Sequence, residues 1–515
     1  MPLRPLSRNE TWLLPPTLDE LIPQDHPARF VAAFVDAMDR AAWAELGIGL
    51  DGEALGAPAY HPRALLSVWL YGFMTGTRSC RKLEAACRDQ LPYLWLTGWQ
   101  RPDHNTLWRF YREHRGTMRH LFKRTVHTAV KVGLVDLAVQ AVDGTKIAGN
   151  AAKDRTYDRE GLQRLLERTE KTIQELEKEN EGGSDPAPPH LPPKLTQAER
   201  LRAEVKAAME ELAEDGQKRI NLTDGDTELM KSRHGIVAGY NAQAMVSPAK
   251  VDTKETGLII TAADVTKDAN DVEQLVPMLE QAEENSGERA EVSLADGGYH
   301  SGSNLEACAQ RGQVVIMPEA QQRALERPYH KDRFIYDEST DRYTCPQGQP
   351  LRFRRMKCTK GTLVREYRAS PATCRKCSAF NTCTKNGVYG RRIEIRPHEA
   401  LLRQHREWMA TEEAKMAYSR RKELPEPTFG ILKEQLGVRR FLLRGLANVK
   451  AELVTLAAAF NLRTLWRFWR TGKVKAHCAQ ALGGAESLAD RAITFLDCFA
   501  SHINAILITV ACASV

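Results

Sequence analysis

Two apolar runs that lie far apart in the chain each lead into an aspartate followed by glycine. The first spans residues 137–142 and precedes Asp143, and the second spans residues 291–295 and precedes Asp296. Such runs are typical of buried strands, and ligands gather beyond the carboxyl ends of strands in alternating α/β folds. A single Asp-Gly pair is most often a turn. Two such pairs after apolar strands predict a shared acidic site at one edge of a sheet.

A third acid is indicated where Pro425 and Pro427 permit a helix only if they lie near its first turn. Glu426 then belongs to that first turn. Lys433 follows about two helical turns later, so the carboxylate and the ammonium project from one face. Three carboxylates suit a divalent cation such as Mg²⁺, which prefers oxygen ligands. Without the two aspartates, an ordinary surface helix with scattered charges would be the preferred interpretation.

The length and charge of the chain favour several modules and a polyanionic partner. A chain of 515 residues suggests two to four domains. The net charge is only +7, from 73 basic and 66 acidic side chains, so local clustering matters more than the total. A groove lined by such clusters would hold a phosphate backbone, although charge clusters are usually solvated surfaces. The clusters follow Asp296 and occupy residues 352–355, 391–392, 420–422, 439–440 and 463–475.

The two ends of the sequence predict a cytoplasmic protein with no membrane partner. The N-terminus lacks the basic, apolar and small-residue pattern of a secretory signal. The apolar C-terminal stretch 493–515 is interrupted by Asp497, His502 and Asn504, which leaves too few residues to span a bilayer. We interpret residues 471–515 as a small C-terminal appendage, with a tail anchor as the alternative.

In a reducing compartment, the eleven cysteines are expected to be free thiols or metal ligands rather than disulfides. Cys345, Cys374, Cys377 and Cys383 are candidates for a tetrahedral structural zinc site. Only two of them form a Cys-x-x-Cys pair, and Cys358 competes for the fourth place. The alternative is a set of reduced cysteines in a loop-rich insertion.

Residues 1–130 carry apolar side chains at helical spacing, with Asp103 or Asn105 placed to cap one predicted helix. Short helices joined by tight turns and carrying Arg78 and Arg81 fit a DNA-binding domain of the helix-turn-helix type. A plain helical bundle is the alternative, because spacing alone does not distinguish the two.

The sequence pattern of residues 131–470 predicts three strands, a helix, a strand, a helix and a strand, in that order. This order is that of the ribonuclease H-like α/β fold, a mixed sheet with flanking helices that carries two aspartates on neighbouring strands. Two insertions interrupt it. Residues 153–220 predict a charged helical hairpin with a proline-rich connector, and residues 335–395 form the cysteine-rich insertion.

With these residues in view, the chain resembles the DDE-class transposases of bacterial insertion sequences that carry a Tyr-Arg-Glu-Lys signature. That signature reads Tyr418, Arg421, Glu426 and Lys433 here. The spacing from Arg421 to Glu426 is one residue longer than the commonest form, which makes Glu423 a rival third acid. Helix phase favours Glu426.

Further matching segments extend the resemblance from about residue 61 to about residue 465. They include Gly-Tyr-Asn-Ala-Gln at residues 239–243, Ala-Asp-Gly-Gly-Tyr at residues 295–299, and residues 445–461. The resemblance therefore covers most of the chain.

The resemblance implies a metal-dependent transposase that cleaves and joins DNA phosphodiester bonds at insertion-sequence ends. Two Mg²⁺ or Mn²⁺ ions, held by the three acids, would promote in-line phosphoryl transfer. Tyr418, Arg421 and Lys433 would contact DNA, with the two basic groups neutralising phosphate charge. Lys146 would also reach the DNA backbone, although an exposed lysine after a turn is equally plausible.

The implied partner is double-stranded DNA, both terminal inverted repeats and target DNA, bound by a homodimer associated with the nucleoid. Two other functions remain open at this point. One is a metal-dependent DNA nuclease without strand transfer, and the other is a catalytically silent DNA-binding protein.

Overall fold

The computed structural model describes residues 17–51, 59–181, 193–214, 218–232, 235–251, 254–319, 327–359 and 362–471. The predicted proline-rich connector and the C-terminal appendage fall outside these ranges, apart from single residues at their borders.

The N-terminal region is helical, as predicted. Asp103 is the cap of the seventh helix, because its side chain accepts a hydrogen bond from the Thr106 N–H at 2.7 Å, whereas Asn105 lies inside that helix. The fourth helix begins with Pro62 at its first turn and ends at Gly76, whose φ of 82° is the left-handed conformation of a helix C-terminus. The helices are α1 Leu18–Leu21, α2 Pro27–Asp36, α3 Arg40–Glu45, α4 Pro62–Thr75, α5 Cys80–Asp89, α6 Leu91–Thr97, α7 His104–His114 and α8 Met118–Lys131.

A mixed six-stranded sheet follows, in which the five predicted strands occur in the predicted order and a further strand, Glu228–Ser232, precedes the second of them. Strand β5 pairs with β4, β1 and β6, all antiparallel, while β1–β7 and β7–β8 are parallel, giving the order β4-β5-β1-β7-β8 with β6 also on β5. The strands are β1 Val139–Ala148, β4 Glu228–Ser232, β5 Gly235–Val251, β6 Lys254–Thr266, β7 Val292–Leu294 and β8 Val314–Ile316. The short β2 Thr156–Tyr157 and β3 Ile220–Asn221 pair separately.

Helices cover both faces of this sheet. Helices α11 Leu275–Ser286 and α12 Gly302–Gln310 pack on the face that carries Val142. The face that carries Ala141 belongs to a larger hydrophobic cluster with α8 and the long α17 Leu446–Thr471. That cluster also contains most of the buried side chains of α2–α7. The N-terminal helices therefore share one core with the sheet, and a domain boundary at residue 130 stays a prediction.

The two helices of the predicted charged hairpin are present as α9 Arg159–Glu181 and α10 Pro193–Glu214. They pack together through a separate small cluster that includes Leu162, Val205 and Leu212.

The cysteine-rich segment forms a second sheet of five antiparallel strands, which we call the small sheet. Its order is β13-β12-β11-β10-β9, and it has its own core around Tyr343, Leu351 and Tyr367. Its elements are β9 Ile335–Asp337, β10 Arg342–Thr344, β11 Pro350–Thr359, β12 Thr362–Ala369, the helix α13 Pro371–Arg375 and β13 Arg392–Ile395.

The chain then returns to the main sheet through α14 Glu399–Met409, α15 Glu412–Ser419 and α16 Pro425–Gly430. Arg406 on α14 forms ion pairs with Asp332 and Glu399 at 2.6 and 2.8 Å and so anchors the segment before the small sheet. Among the described helices, none is both long enough and apolar enough to cross a membrane.

Candidate active site

Asp143 lies in the middle of β1, so the prediction that the strand ends there was wrong. Residues 143–146 continue the antiparallel pairing with β5, with Asp143 opposite Ala244 and Lys146 opposite Asn241. The parallel pairing of β1 with β7 ends at Ala141. At Asp143, β1 therefore no longer pairs with β7, and other elements can approach this edge of the strand.

Gly144 allows the strand to continue because neighbouring side chains approach its backbone closely. A Cβ at this position would lie 2.4 Å from Gln243 Nε2 and 2.7 Å from Asp271 Oδ1. Glycine within a strand often marks such a close approach. Gly144, which suggested a turn in the sequence, thus lies in a continuous strand. Glycine is required there because neighbouring side chains leave no room for a Cβ atom.

Asp296 follows the end of β7, as predicted, and one arginine joins it to Asp143. The Asp296 carboxylate accepts a hydrogen bond from the Gly298 N–H at 2.8 Å. Arg421 Nη2 lies 2.8 Å from Asp143 Oδ1 and 3.7 Å from Asp296 Oδ2. Segments separated by more than a hundred residues in sequence therefore meet at one guanidinium group.

The environment of Asp143 opposes its ionisation. Burial raises the pKa of Asp143 to about 6, and the neighbouring charges of Asp296 and Asp271 add to the rise, while Arg421 and the Gly144 N–H lower it. Burial lowers the pKa of Arg421, but the charges of Asp143, Asp296 and Glu426 outweigh it, so that pKa is raised overall. A cation at this position stabilises carboxylates that would otherwise repel each other.

Glu426 lies in the first turn of α16, as predicted, and its side chain is exposed. Its charge acts on Arg421, and α16 packs against β1. The rival acid Glu423 belongs to a preceding 3₁₀ turn, is 67% exposed and lies 3.9 Å from Arg420 Nε. Glu426 thus interacts electrostatically with the arginine that contacts both aspartates.

Lys433 reaches β1 by a different route from the regular helix that the sequence suggested. After Gly430 the helix widens into a π-helical turn, Ile431–Gln435. Lys433 Nζ donates a hydrogen bond to Thr145 Oγ1. Because side chains two residues apart share a face of a strand, Thr145 lies on the same face as Asp143. The ammonium group is therefore held beside the face that carries Asp143.

Tyr418, the first residue of the predicted signature, lies on α15. Burial raises the pKa of its half-buried phenol, the negative charges of Asp296 and Asp143 add to the rise, and Arg421 lowers it through its charge and a side-chain hydrogen bond. Tyr418 and Glu426 thus interact electrostatically with Arg421, whereas Lys433 contacts β1.

Lys146 does not join this group. It alternates with Asp143 and Thr145 along β1 and so lies on the opposite face, where it forms an ion pair with Asp271 at 3.3 Å. Asp271 Oδ1 also accepts hydrogen bonds from Asn241 Nδ2 at 2.6 Å and Gln243 Nε2 at 2.8 Å.

Asp271 was missed in the sequence, although its oxygen Oδ2 faces the aspartate pair. A Cβ on Gly298 would lie 3.5 Å from Asp271 Oδ2 and 2.8 Å from Asp296 Oδ1. The buried Tyr299 hydroxyl donates to Gln243 Oε1, which links this network to the loop after β7. The signal in the sequence was the pair of polar residues at alternate positions, Asn241 and Gln243, in a strand that is otherwise apolar.

Arg78 is not available to DNA, so its assignment to a DNA-binding surface is corrected. Its side chain is only 7% exposed and forms an ion pair with the buried Glu452 at 2.7 Å. Its other nitrogen donates to the carbonyl oxygens of Gly437 and Arg440. The nearby Arg81 is exposed, and its role in DNA binding stays a prediction.

The four predicted zinc ligands line one small cavity of about 20 Å³. The Gln349 N–H donates to Cys345 Sγ at 3.3 Å, and the Arg391 N–H donates to Cys374 Sγ at 3.4 Å. Cys358 is exposed on β11 and does not line the cavity.

Within the part of the chain that the structure describes, no three His, Cys, Asp or Glu side chains stand in an arrangement ready to hold a metal ion. At the aspartate pair, one nitrogen of the Arg421 guanidinium is close to both carboxylates. The donor set itself consists of acidic oxygens, which is the chemistry that Mg²⁺ or Mn²⁺ prefers.

Two family models match separate parts of the chain, and both describe transposases. The transposase DDE domain matches residues 344–466, and the transposase domain DUF772 matches residues 16–113. Together they support an insertion-sequence transposase, which implies DNA binding. The first match includes Tyr418, Arg421, Glu426 and Lys433, whereas Asp143 and Asp296 lie outside both. No curated protein matches the chain significantly.

Proposed function

We propose that this protein cleaves and joins DNA phosphodiester bonds at the ends of an insertion sequence, with Asp143, Asp296 and Glu426 as its acidic centre. The observation that carries the proposal is the convergence on Arg421. Its guanidinium contacts both aspartates and interacts electrostatically with Glu426. The three acids come from distant segments of the chain. A purely structural ion pair would need only one acid beside Arg421 and would not require Glu426 as well.

The order of the main sheet supports a ribonuclease H-like catalytic domain. Asp143 lies on the central strand β1, and Asp296 follows the adjacent parallel strand β7. Helix α16, which carries Glu426, packs against β1. In this proposal, the α9–α10 pair and the small sheet are the two insertions into that domain.

Each residue of the site then has a defined task. Asp143, Asp296 and Glu426 would hold two divalent ions, which supply activation of the attacking hydroxyl and stabilisation of the leaving oxygen when bound. Arg421 grips phosphate oxygens through its planar fork, and Lys433 neutralises a further phosphate charge. Asp271 and Gln243, fixed by their hydrogen bonds, orient the loop of Asp296 through Tyr299.

A strand-transfer assay tests this proposal against the two other functions. Purified protein is incubated with duplexes carrying candidate terminal repeats, intact or pre-cut, and with target DNA, in Mg²⁺ or Mn²⁺. Joined products from the pre-cut ends support a transposase. Cleavage without joining would indicate a nuclease, and DNA binding without either would indicate a silent DNA-binding protein. Paired ends would require two subunits, so we propose a homodimer on DNA.

The pKa of Asp143 predicts how divalent cations stabilise the fold at different pH. A folded-state pKa of about 6 lies above the ordinary value of 3.8. Protonation is therefore favoured by folding, and the stability contributed by this group falls as the pH rises from about 4 to about 6. A bound cation offsets that cost only when the carboxylate is ionised.

We therefore expect Mg²⁺ or Mn²⁺ to raise the melting temperature at pH 8 and to raise it less at pH 5. One pH unit below its pKa, the carboxyl is about 90% protonated, which weakens apparent cation affinity roughly tenfold. Thermal melts with and without the ion measure this, with Asp143→Asn as control. An equal shift at both pH values, or in the variant, would contradict this assignment.

We further propose that Cys345, Cys374, Cys377 and Cys383 hold one structural Zn²⁺. The supporting observations are their shared cavity and the two backbone N–H groups directed at sulfur. Burial raises the pKa of Cys383, Arg391 lowers it, and the negative charges of the other three thiolates raise it further. Four thiolates satisfy tetrahedral zinc.

We expect about one zinc per chain in protein purified under reducing conditions, because a closed four-thiolate site binds zinc tightly. Elemental analysis measures the stoichiometry. Cys377→Ser should lose the metal and lower the melting temperature, while Cys358→Ser, on exposed β11, should retain both. Absence of zinc in the wild type after growth with added zinc would remove the proposal.

A further inference from the structure

The register of the small sheet aligns four arginines in one row across four neighbouring strands. Arg342 on β10 lies opposite Arg352 on β11, which lies opposite Arg368 on β12, which lies opposite Arg392 on β13. Residues directly opposite one another in antiparallel strands project from the same face. The four side chains, which we call the arginine row, therefore share one face.

This face is the one turned away from the core of the small sheet. The core residues Tyr343, Leu351, Tyr367 and Ile393 occupy the alternating positions. Arg342, Arg352 and Arg392 are exposed, whereas Arg368 is half-buried beneath the ring of Tyr389.

A bulge in β11 places a fifth arginine on this face. The register shifts between Phe353 and Arg355, so that Arg355 lies opposite Glu366, on the same side as Arg352. Regular alternation would have placed Arg355 on the core side. In a regular strand Arg354 would lie opposite Glu366, so the bulge exchanges one arginine for another and an arginine still stands opposite Glu366 on this face.

Acidic partners neutralise only part of this charge. The fully buried Glu366 lies 2.6 Å from Arg368 Nε and 3.7 Å from Arg355 Nε. In the described ranges, Arg342, Arg352 and Arg392 form no salt bridge, although Glu394, opposite Glu366 on this face, interacts electrostatically with Arg392. Asp337, opposite Arg342, instead accepts hydrogen bonds from the Ser339 and Thr340 hydroxyls.

A row of like charges costs stability in the free protein. Like charges placed directly opposite each other across strands are destabilising. Arginine is also the side chain best suited to bind phosphate oxygens in pairs. Both points favour a polyanion as the group that covers this face.

We propose that the arginine row binds the phosphate backbone of duplex DNA, outside the acidic centre. Strands lie about 4.8 Å apart, so the row spans roughly 14 Å. That span corresponds to about four phosphate-to-phosphate intervals of one DNA strand, measured along the helix axis at 3.4 Å each. This inference rests on the proposed function, because that function makes duplex DNA the partner.

The test is the salt dependence of DNA binding by the full-length protein, measured by fluorescence anisotropy with a labelled duplex. The variant Arg352→Gln with Arg392→Gln removes two exposed charges. Each lost phosphate contact lowers the slope of log K against log salt by about 0.9. We expect the slope to fall by roughly two and the affinity to fall roughly 50-fold at 0.1 M salt.

Two controls separate charge on this face from charge in general and from folding. Lys376→Gln with Lys385→Gln removes two exposed charges of the same region away from the sheet and should leave the slope nearly unchanged. Arg352→Lys with Arg392→Lys keeps the charges and should retain most of the slope. The glutamine variant should melt no lower than the wild type, because like-charge repulsion is relieved.

The outcomes distinguish this inference from the proposed function. Wild-type protein that fails to bind DNA would contradict the proposed function itself. Wild-type binding with equal slopes for the row variant and the lysine control would overturn the arginine row alone. A row variant that melts several degrees lower would assign these arginines to folding instead.

Discussion

Replacing Asp143 with asparagine should abolish DNA cleavage while leaving the protein folded and bound to DNA. Asparagine has nearly the same shape, and its side-chain oxygen can still accept the hydrogen bond that the Gly144 N–H donates at 3.0 Å. What is lost is the negative charge that a divalent ion requires. Metal ions contribute several kcal/mol of charge stabilisation in the transition state, so the rate should fall about a thousandfold or more.

The thermal stability of this variant should be close to that of the wild type. Burial raises the pKa of Asp143 to about 6. Above that pH the side chain is ionised in the folded protein, and this ionisation lowers the free energy of unfolding. Removing the charge removes that cost, although it also removes one partner of Arg421. We expect a melting temperature close to that of the wild type at pH 8, as is common for residues selected for function rather than stability.

Cleavage, DNA binding and thermal melting, measured together, check this prediction. Asp268→Asn is the matched control, because Asp268 accepts a hydrogen bond from the Thr266 hydroxyl at 2.7 Å rather than facing Arg421. The control should retain cleavage. Full cleavage by Asp143→Asn would contradict the assignment, and cleavage lost together with folding would leave the charge without a demonstrated role.

The acids were visible in the sequence because apolar runs and prolines place them. An apolar strand followed by an acid locates Asp296, and two prolines that only a first turn accepts locate Glu426. Local pattern could not tell that β1 continues past Asp143. That outcome depends on Gln243 and Asp271, which come from other elements and leave no room for a side chain at residue 144.

Residues that act through tertiary contacts were harder to predict. Asp271 precedes α11, and nothing in its sequence neighbours shows that Asn241, Gln243 and Lys146 converge on it. The arginine row likewise depends on strand register, which the sequence alone did not fix. A basic side chain in a loop between helices suggested DNA contact for Arg78, but its burial is decided by a helix nearly four hundred residues away.

Breaking the ion pair between Arg78 and Glu452 should be the most destabilising single change outside the hydrophobic core. Both side chains are nearly inaccessible, at 7% and 2% exposed. Glu452 also accepts hydrogen bonds from the backbone N–H groups of Leu442 and Leu443. Removing one partner leaves the other charge buried and uncompensated, which typically costs about 3–5 kcal/mol.

Loss of the Arg78–Glu452 ion pair should also affect the candidate active site, because Arg78 contacts the segment that leads to it. Arg78 donates to the carbonyl oxygens of Gly437 and Arg440 at 2.6 and 3.3 Å, in the segment that directly follows the π-helical turn of Lys433. The pair therefore fixes the connection between that turn and α17. We expect Arg78→Met and Glu452→Gln to lower both the free energy of unfolding and the cleavage rate.

Urea unfolding followed by tryptophan fluorescence measures the free-energy change, and the double variant completes a cycle. Because each single change leaves the other member of the pair buried and unpaired, whereas the double variant removes both charges, the double variant should lose less than the sum of the two. Arg81→Met is the matched control, since Arg81 is exposed and its loss should change stability by no more than about 0.5 kcal/mol. If Arg78→Met instead weakened DNA binding at unchanged stability, Arg78 would be a DNA contact and the buried-pair account would be wrong.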